Sequence, residues 1–360
     1  MPSQLYLPPT PLRNGWVMTV HAALRAGRNW EQTVREPEPP LQSHIFQGHG
    51  GVPIAGRWGV PPAAHGTLIA TYGITGDLDN QWLLQIQARK AFARGYALVL
   101  FDWRAHGETL RLSPALTSDG LNEGHDYLQL AAQAKALGCP APYWFCGYSL
   151  GGQLALWGVR EAQRQDLGSL GLRPEEIGGG VVLCPNLDSN RSLTYLTHHP
   201  WGRQLEKAIV RQLKLLIRSY HQQHPGQVDP RAVHRLQSIA DFDREFVIGR
   251  LGFDSVADYY TASSVLPWLG ELQRPTLVIY AEDDPLFSPE IPAELAAIAQ
   301  DHLHLDLHLT RHGGHLGYLS SGRGLRACGD PDRWWAVNRM LDWLDRQSSP
   351  AIRALASAAT

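Results

Sequence analysis

Long hydrophobic runs are missing from this 360-residue chain. Its longest uninterrupted apolar stretches, such as residues 96–101, fall far short of the roughly 20 residues that a membrane-spanning helix needs. The opening segment, MPSQLYLPPTPLRNGW, has no basic stretch followed by an apolar one, so no secretory signal is expected. Cysteine is scarce. Cys139, Cys146, Cys184 and Cys328 form no C-x-x-C pair and are too few to staple a chain of this length, so they read as reduced thiols in a cytoplasmic protein. Nor is there any excess of positive charge: 32 Lys and Arg face 34 Asp and Glu, with a sequence pI near 6.8. Without a basic surface to hold a phosphate backbone, no nucleic-acid partner is expected.

What is present is the composition of a globular protein. Hydrophobic residues make up 44% of the chain, ample for a core, and charged residues only 18% against a usual ~25%. At roughly 150 residues per domain, the length suits one large domain with an insertion, or two domains. Thirty-five glycines and 25 prolines point to many loops between short elements.

Residues 1–43 are proline-rich and read as an irregular N-terminal extension. Short apolar runs of strand length then alternate with helical patterns. The runs are HIFQG, VPIAGRWGV, GTLIATYG, YALVLFDW, PYWFCGYS, GGVVLCP, PTLVIYAEDD and LHLDLHLT. Strand–helix alternation of this kind predicts a mostly parallel central sheet with helices on both faces, an α/β fold. Residues 188–270 interrupt the rhythm with helical patterns and no buried-strand run. They are expected to form an inserted helical cap over the carboxyl ends of the strands, where such sheets bind ligands. The core then comprises 44–187 and 271–347, and 348–360 form a flexible tail.

Gly147-Tyr148-Ser149-Leu150-Gly151 matches G-x-S-x-G. The pattern alone is weak, but it follows the apolar strand PYWFC and opens the helical pattern LGGQLALWG, the strand–turn–helix setting that lifts a serine above a sheet. A serine hydroxyl needs a base, and the base an orienting acid, here in the chain order Ser, Asp, His. Glu282-Asp283-Asp284-Pro285 ends one strand and supplies the acid. Asp284 is preferred to Asp283 because it lies further into the loop and precedes proline. His315, after Gly313-Gly314, is preferred as base to His312, which abuts the strand. The unchosen pair is expected to be solvated at the loop mouth. The oxyanion needs two backbone donors, assigned to Leu150 N–H and to Ile74 N–H in the Gly73–Gly76 loop. Such chemistry requires no cofactor and no metal.

These motifs carry a resemblance. LRNGW, YGITGD, FDWRAHGE, GYSLGGQLA, DYYTASS, PTLVIYAEDDP and HGGHLGY, spread over residues 11–346, resemble the α/β hydrolases of the YheT-like group, bacterial proteins with membrane-associated eukaryotic relatives. Tyr72 stands where that group usually has His, and Arg104-Ala105-His106-Gly107 where it has R-G-H-G. The resemblance implies the α/β-hydrolase fold and hydrolysis of carboxylic esters, some members acting on acylglycerols or phospholipids. The expected partner is therefore a small-molecule or lipid ester. An acyltransferase using the same acyl-enzyme, or a non-catalytic ligand-binding relative, are the alternatives.

Other patterns carry less. His302, His304, Asp306 and His308 share one strand parity and read as a solvent-facing side rather than a metal site. His224 and Asp229 match an H-x4-D spacing by coincidence. Asp188, Asp241 and Asp243 read as surface carboxylates. Lys207, Arg211, Lys214 and Arg218 form one stripe of a helix whose other side carries Leu205, Ile209, Leu213, Leu216 and Ile217. That stripe reads first as a solvated face, and second as a peripheral contact with an anionic membrane.

Overall fold

A computed structural model describes residues 5–348, so all but the first residue of the expected tail lies outside the described residues. Eight strands form one sheet: β1 (Gln42–Gln47), β2 (Pro53–Gly59), β3 (Thr67–Thr71), β4 (Ala97–Phe101), β5 (Tyr143–Tyr148), β6 (Ile177–Leu183), β7 (Thr276–Ala281) and β8 (Leu305–Thr310). Their order is β1-β2-β4-β3-β5-β6-β7-β8, with β2 antiparallel to both neighbours and the rest parallel. β3, β4, β5 and β7 are buried at every position, which is why they read as continuous apolar runs: helices cover both faces. Each such Leu, Ile or Val side chain contributes ~1.5–3 kcal/mol by leaving water.

The edge strand β8 departs from expectation. Its polar parity does not face solvent throughout, because the helix Trp335–Gln347 packs over it. His308 is buried, its ring 6.4 Å from that of Trp335, and Trp343 Nε1 donates to Asp306 Oδ2 at 2.6 Å. Burial pushes the His308 imidazole down to about 4, so it stays neutral at neutral pH. Leu303, two residues before the strand begins, is exposed.

The N-terminal segment departs too. Gly15–His21 is an α-helix, prolonged by a π-type turn over Ala22–Ala26. Asn14 caps it by accepting from Val17 N–H at 3.1 Å, and Met18, Ala22 and Ala26 recur every four residues as its buried stripe. The prolines stand outside this stretch, so nothing interrupts it.

Between β6 and β7, residues 188–270 carry helices and turns but no strand. The longest helix, Pro200–Gln223, starts with proline at its first position and ends before His224-Pro225-Gly226. Its Val210, Leu213 and Ile217 join Phe242, Phe246 and Tyr259 in a second apolar cluster, to which Ala105, Leu110 and Leu116 contribute from outside the insertion. The three aspartates expected at its surface are engaged. Asp188 caps Ser189–His198 and pairs with Arg191 at 2.8 Å, and Asp241 completes a capping box with Ser238. Asp243 is buried and accepts from Tyr260 Oη. A helix beginning at each of the first two sites claims the carboxylate, a demand that composition does not reveal. His224 Nε2 meets Leu110 O at 2.7 Å and Asp229 caps a turn, so the H-x4-D spacing brings nothing together.

Candidate active site

β5 ends in a turn so tight that it admits no side chain at two positions. A Cβ on Gly147 would lie 2.1 Å from Gly151 O, and one on Gly151 would lie 2.3 Å from Tyr72 O. Ser149, between them, takes φ 55° and ψ −128°, a conformation that L-residues rarely adopt, and heads the helix Leu150–Arg164. Its Oγ thereby stands above the strand ends. His315 Nε2 lies 3.0 Å from Ser149 Oγ, and His315 Nδ1 lies 2.8 Å from Asp284 Oδ2. The remaining Asp284 oxygen accepts from Leu286 N–H at 3.0 Å, so the carboxylate cannot turn away. Asp284 and His315 are 6% and 9% exposed, which strengthens their interaction relative to water. With the imidazole donating from Nδ1 to this carboxylate, Nε2 is left as an acceptor for the serine proton.

Ser149 opens into a cavity roofed by the insertion. Ile74, Leu150 and Phe287 line it near the serine, and Leu196, Ile209 and Leu213 from above. Leu150 N–H, the first of its helix, has no intrahelical partner by position. Ile74 lies in a loop held open by a fixed support. Thr75, at φ 63°, donates its N–H to His106 Nε2 at 3.1 Å, and His106 Nδ1 donates to Arg104 O at 3.1 Å. Those two bonds define the neutral tautomer, and burial lowers the His106 pKa to about 4, which keeps it neutral. Trp103 stacks on the ring at 3.6 Å.

Tyr72, the departure at the strand end, is fully buried and donates to Asp102 Oδ1 at 2.5 Å. Asp102 also accepts from Leu78 N–H and Glu108 N–H, tying the β3 and β4 loops together. Burial nonetheless raises it to about 6.

Residues 66–321 match the α/β-hydrolase-fold family. The chain belongs to that family. It is 49% identical over 350 residues to the Synechocystis protein named "Putative esterase slr0264", covering 95% of each chain. It is 25% identical over 282 residues to "Putative esterase YheT" of Escherichia coli, covering 77% of this chain and 76% of that one. Among solved structures, the Pyrobaculum calidifontis esterase superposes with a TM-score of 0.53 at 18% identity, covering 93% of each chain, a likeness of fold. These relatives support hydrolase or esterase activity and membership of the YheT-like group.

In this hydrolase the unchosen acid and base are not merely solvated. Asp283 Oδ1 accepts from Gly314 N–H at 2.8 Å, and its other oxygen pairs with His312 Nδ1 at 3.4 Å. Both are part-buried, because the loop that carries His315 folds back over them. The N-terminal helix completes the clamp: Thr19 Oγ1 donates to Gly15 O at 2.7 Å and accepts from His315 N–H at 2.8 Å. Thr19, Asp102 and His106 were missed as site residues. Asp102 and His106 lie within FDWRAHGE, one of the stretches that carry the family resemblance, and Thr19 lies three residues beyond LRNGW, but nothing in these stretches tells which loop each residue touches.

Among the described residues, one group of His, Cys and carboxylate atoms lies close enough to hold a metal: Cys184, Asp284 and His315. Burial, and then Asp284, push the Cys184 thiol well up, so no thiolate is offered, and the other two members already bond each other. Cys139, Cys146 and Cys184 are buried thiols outside any disulfide. No described helix is long and apolar enough to cross a membrane.

Proposed function

We propose that this protein is a serine hydrolase that cleaves carboxylic esters, of short- to medium-chain acyl groups or of lipids, through an acyl-enzyme on Ser149. The observation that carries the reading is the unbroken relay from Ser149 Oγ to His315 to Asp284 beneath an apolar cavity. His315 Nε2 takes the hydroxyl proton as Ser149 Oγ attacks the ester carbonyl. The developing oxyanion is met by Leu150 N–H and Ile74 N–H. His315 returns the proton to the leaving alcohol, then activates a water that cleaves the acyl-enzyme. Asp284 fixes the tautomer and stabilises the imidazolium. The insertion acts as a cap over this site, and its basic stripe makes a peripheral contact with anionic membrane surfaces.

The test is covalent labelling with a fluorophosphonate, beside turnover of p-nitrophenyl esters from C2 to C16. Ser149→Ala should stay folded, lose the label and lose hydrolysis by several orders of magnitude. Retained turnover, or an adduct on another serine, refutes the assignment. Product analysis with an added alcohol separates hydrolysis from acyl transfer.

A further inference from the structure

The cavity that holds Ser149 is mostly apolar but carries a few buried polar groups in its lining. Asp119 and Asp243 line it, at 8% and 5% exposure, one from the loop before Glu123–Ala136 and the other from the insertion. Neither forms an ion pair among the described residues. Asp119 Oδ1 accepts from Thr117 Oγ1 at 3.3 Å, and Asp243 accepts from Tyr260 Oη. Glu123, behind Asp119, is by contrast fully engaged, accepting from Ser118 N–H, Ser118 Oγ and Gly120 N–H.

Unlike the two carboxylates, two buried atoms of the same lining have no hydrogen-bond partner: Ser192 Oγ, on a residue 3% exposed, and Asn186 Oδ1. All four groups offer lone pairs. Among the described residues no lysine or arginine lines the cavity, and His106, with its pKa near 4, is neutral at neutral pH. Two carboxyls sharing such a buried space cannot both ionise cheaply: without a cation they hold protons, and an ammonium group that displaces those protons restores their negative charge. The pair shows that strain: burial and Glu123 push Asp119 up to about 7, and burial and Asp119 push Asp243 higher than its ordinary value. The rings of Phe242 and Tyr260 line the same cavity, and aromatic rings attract cations.

We propose that the Asp119–Asp243 side of the cavity is a subsite for a cationic ammonium group carried by the ester substrate. A phosphate-bearing head group finds no counter-charge there and is disfavoured. The proposal deepens the hydrolase reading by naming a substrate class, and it rests on that reading for the identity of the ligand as an ester.

Two measurements on the full chain test it. Calorimetry compares choline chloride with its neutral isostere 3,3-dimethyl-1-butanol on the wild type. Choline should bind about tenfold or more tightly than the isostere, a difference of ~1.4 kcal/mol. Asp119→Asn and Asp243→Asn should each reduce that preference. Kinetics then compare choline butyrate with 3,3-dimethylbutyl butyrate. The wild-type ratio of kcat/KM should favour the cationic ester by about tenfold or more, and fall toward one in the variants. The ratio is indifferent to a variant's lower content of folded protein, and the wild-type comparison needs no variant. Choline binding weakened by both substitutions, with neither ester turned over, supports the subsite and overturns the hydrolase reading. Equal turnover of the two esters, with no heat of choline binding to about 10 mM, overturns the subsite and leaves the hydrolase reading standing.

Discussion

Asp283 and Asp284 are adjacent carboxylates with different duties, and the difference is measurable. Asp284 fixes the imidazole of His315, whereas Asp283 holds the backbone of the loop that carries it. Asp284→Asn should lower kcat by roughly 10⁴-fold, because an amide no longer enforces the tautomer that leaves Nε2 free. Asp283→Asn should leave kcat within about tenfold, while costing ~1–3 kcal/mol of stability through the weakened grip on Gly314. Steady-state kinetics beside urea unfolding separate the two; the reverse ranking of kcat would reassign the acid.

His106 gives a second prediction, and its sign is fixed by its pKa near 4. The folded pKa lies below the ordinary 6.5, so folding favours the neutral ring. Its contribution is whole above pH 6.5 and is lost as pH falls toward 4, by up to about 3 kcal/mol. Asp102, raised to about 6, works the other way, since protonation below pH 6 relieves its burial cost. The difference in urea midpoint between wild type and His106→Gln should therefore shrink between pH 6.5 and pH 4. At pH 7.5 the same variant should lower kcat more than it changes KM, because the Ile74–Thr75 loop loses its support. A pH-independent difference would show that His106 is only packing.

At the scale of elements, the strands were legible because burial on both faces leaves no polar alternation to confuse with a helix. The order Ser149, Asp284, His315 was legible because each residue follows a strand, and strand ends in a parallel sheet converge on one edge. The N-terminal helix was not. Prolines flanking it dominated the composition, although Asn14 as cap and the Met18–Ala22–Ala26 spacing were there to be read. His308 was misread for a related reason: strand parity separates two faces but does not say that a helix covers both. Long-range partners are likewise silent in sequence, as with the buried pair Arg104–Asp126, joined by two bonds of 2.7 and 2.8 Å. Asp126→Ala leaves that guanidinium buried and unpaired and should cost ~3–5 kcal/mol in urea unfolding. Gly15 tests the clamp on the histidine loop. A Cβ there would lie 1.8 Å from Asp283 O, so Gly15→Ala must push the helix and the loop apart. The expected result is a lower Tm and a lower kcat together; unchanged kcat would mean that the helix is not needed to place His315.

At the scale of the whole molecule, the exposed face of Pro200–Gln223 combines charge with apolar surface. Lys207, Arg211 and Arg218 are exposed and Lys214 half-buried, and none of the four makes an ion pair among the described residues. Leu215, 53% exposed, lies four residues after Arg211 and three before Arg218, and Trp201 is 69% exposed at the helix start. The ring of Trp16 stacks on His199 at 4.9 Å, which brings the N-terminal helix, with exposed Val17 and Val20, against the same end. A solvated face has no use for this apolar surface, whereas a lipid interface takes both components. Each basic residue near an anionic bilayer adds up to ~1 kcal/mol of attraction, so four shift partitioning by orders of magnitude at low salt and far less when screened. Co-sedimentation with anionic vesicles should therefore be strong at low salt and weak at high salt. Replacing Lys207, Arg211, Lys214 and Arg218 by Gln should weaken it, with turnover of a short soluble ester retained because the relay lies beneath the insertion. Trp201→Ala should weaken binding at both salt concentrations, since its contribution is not electrostatic. Equal sedimentation of wild type and the fourfold variant on anionic vesicles would reduce the stripe to a solvated face.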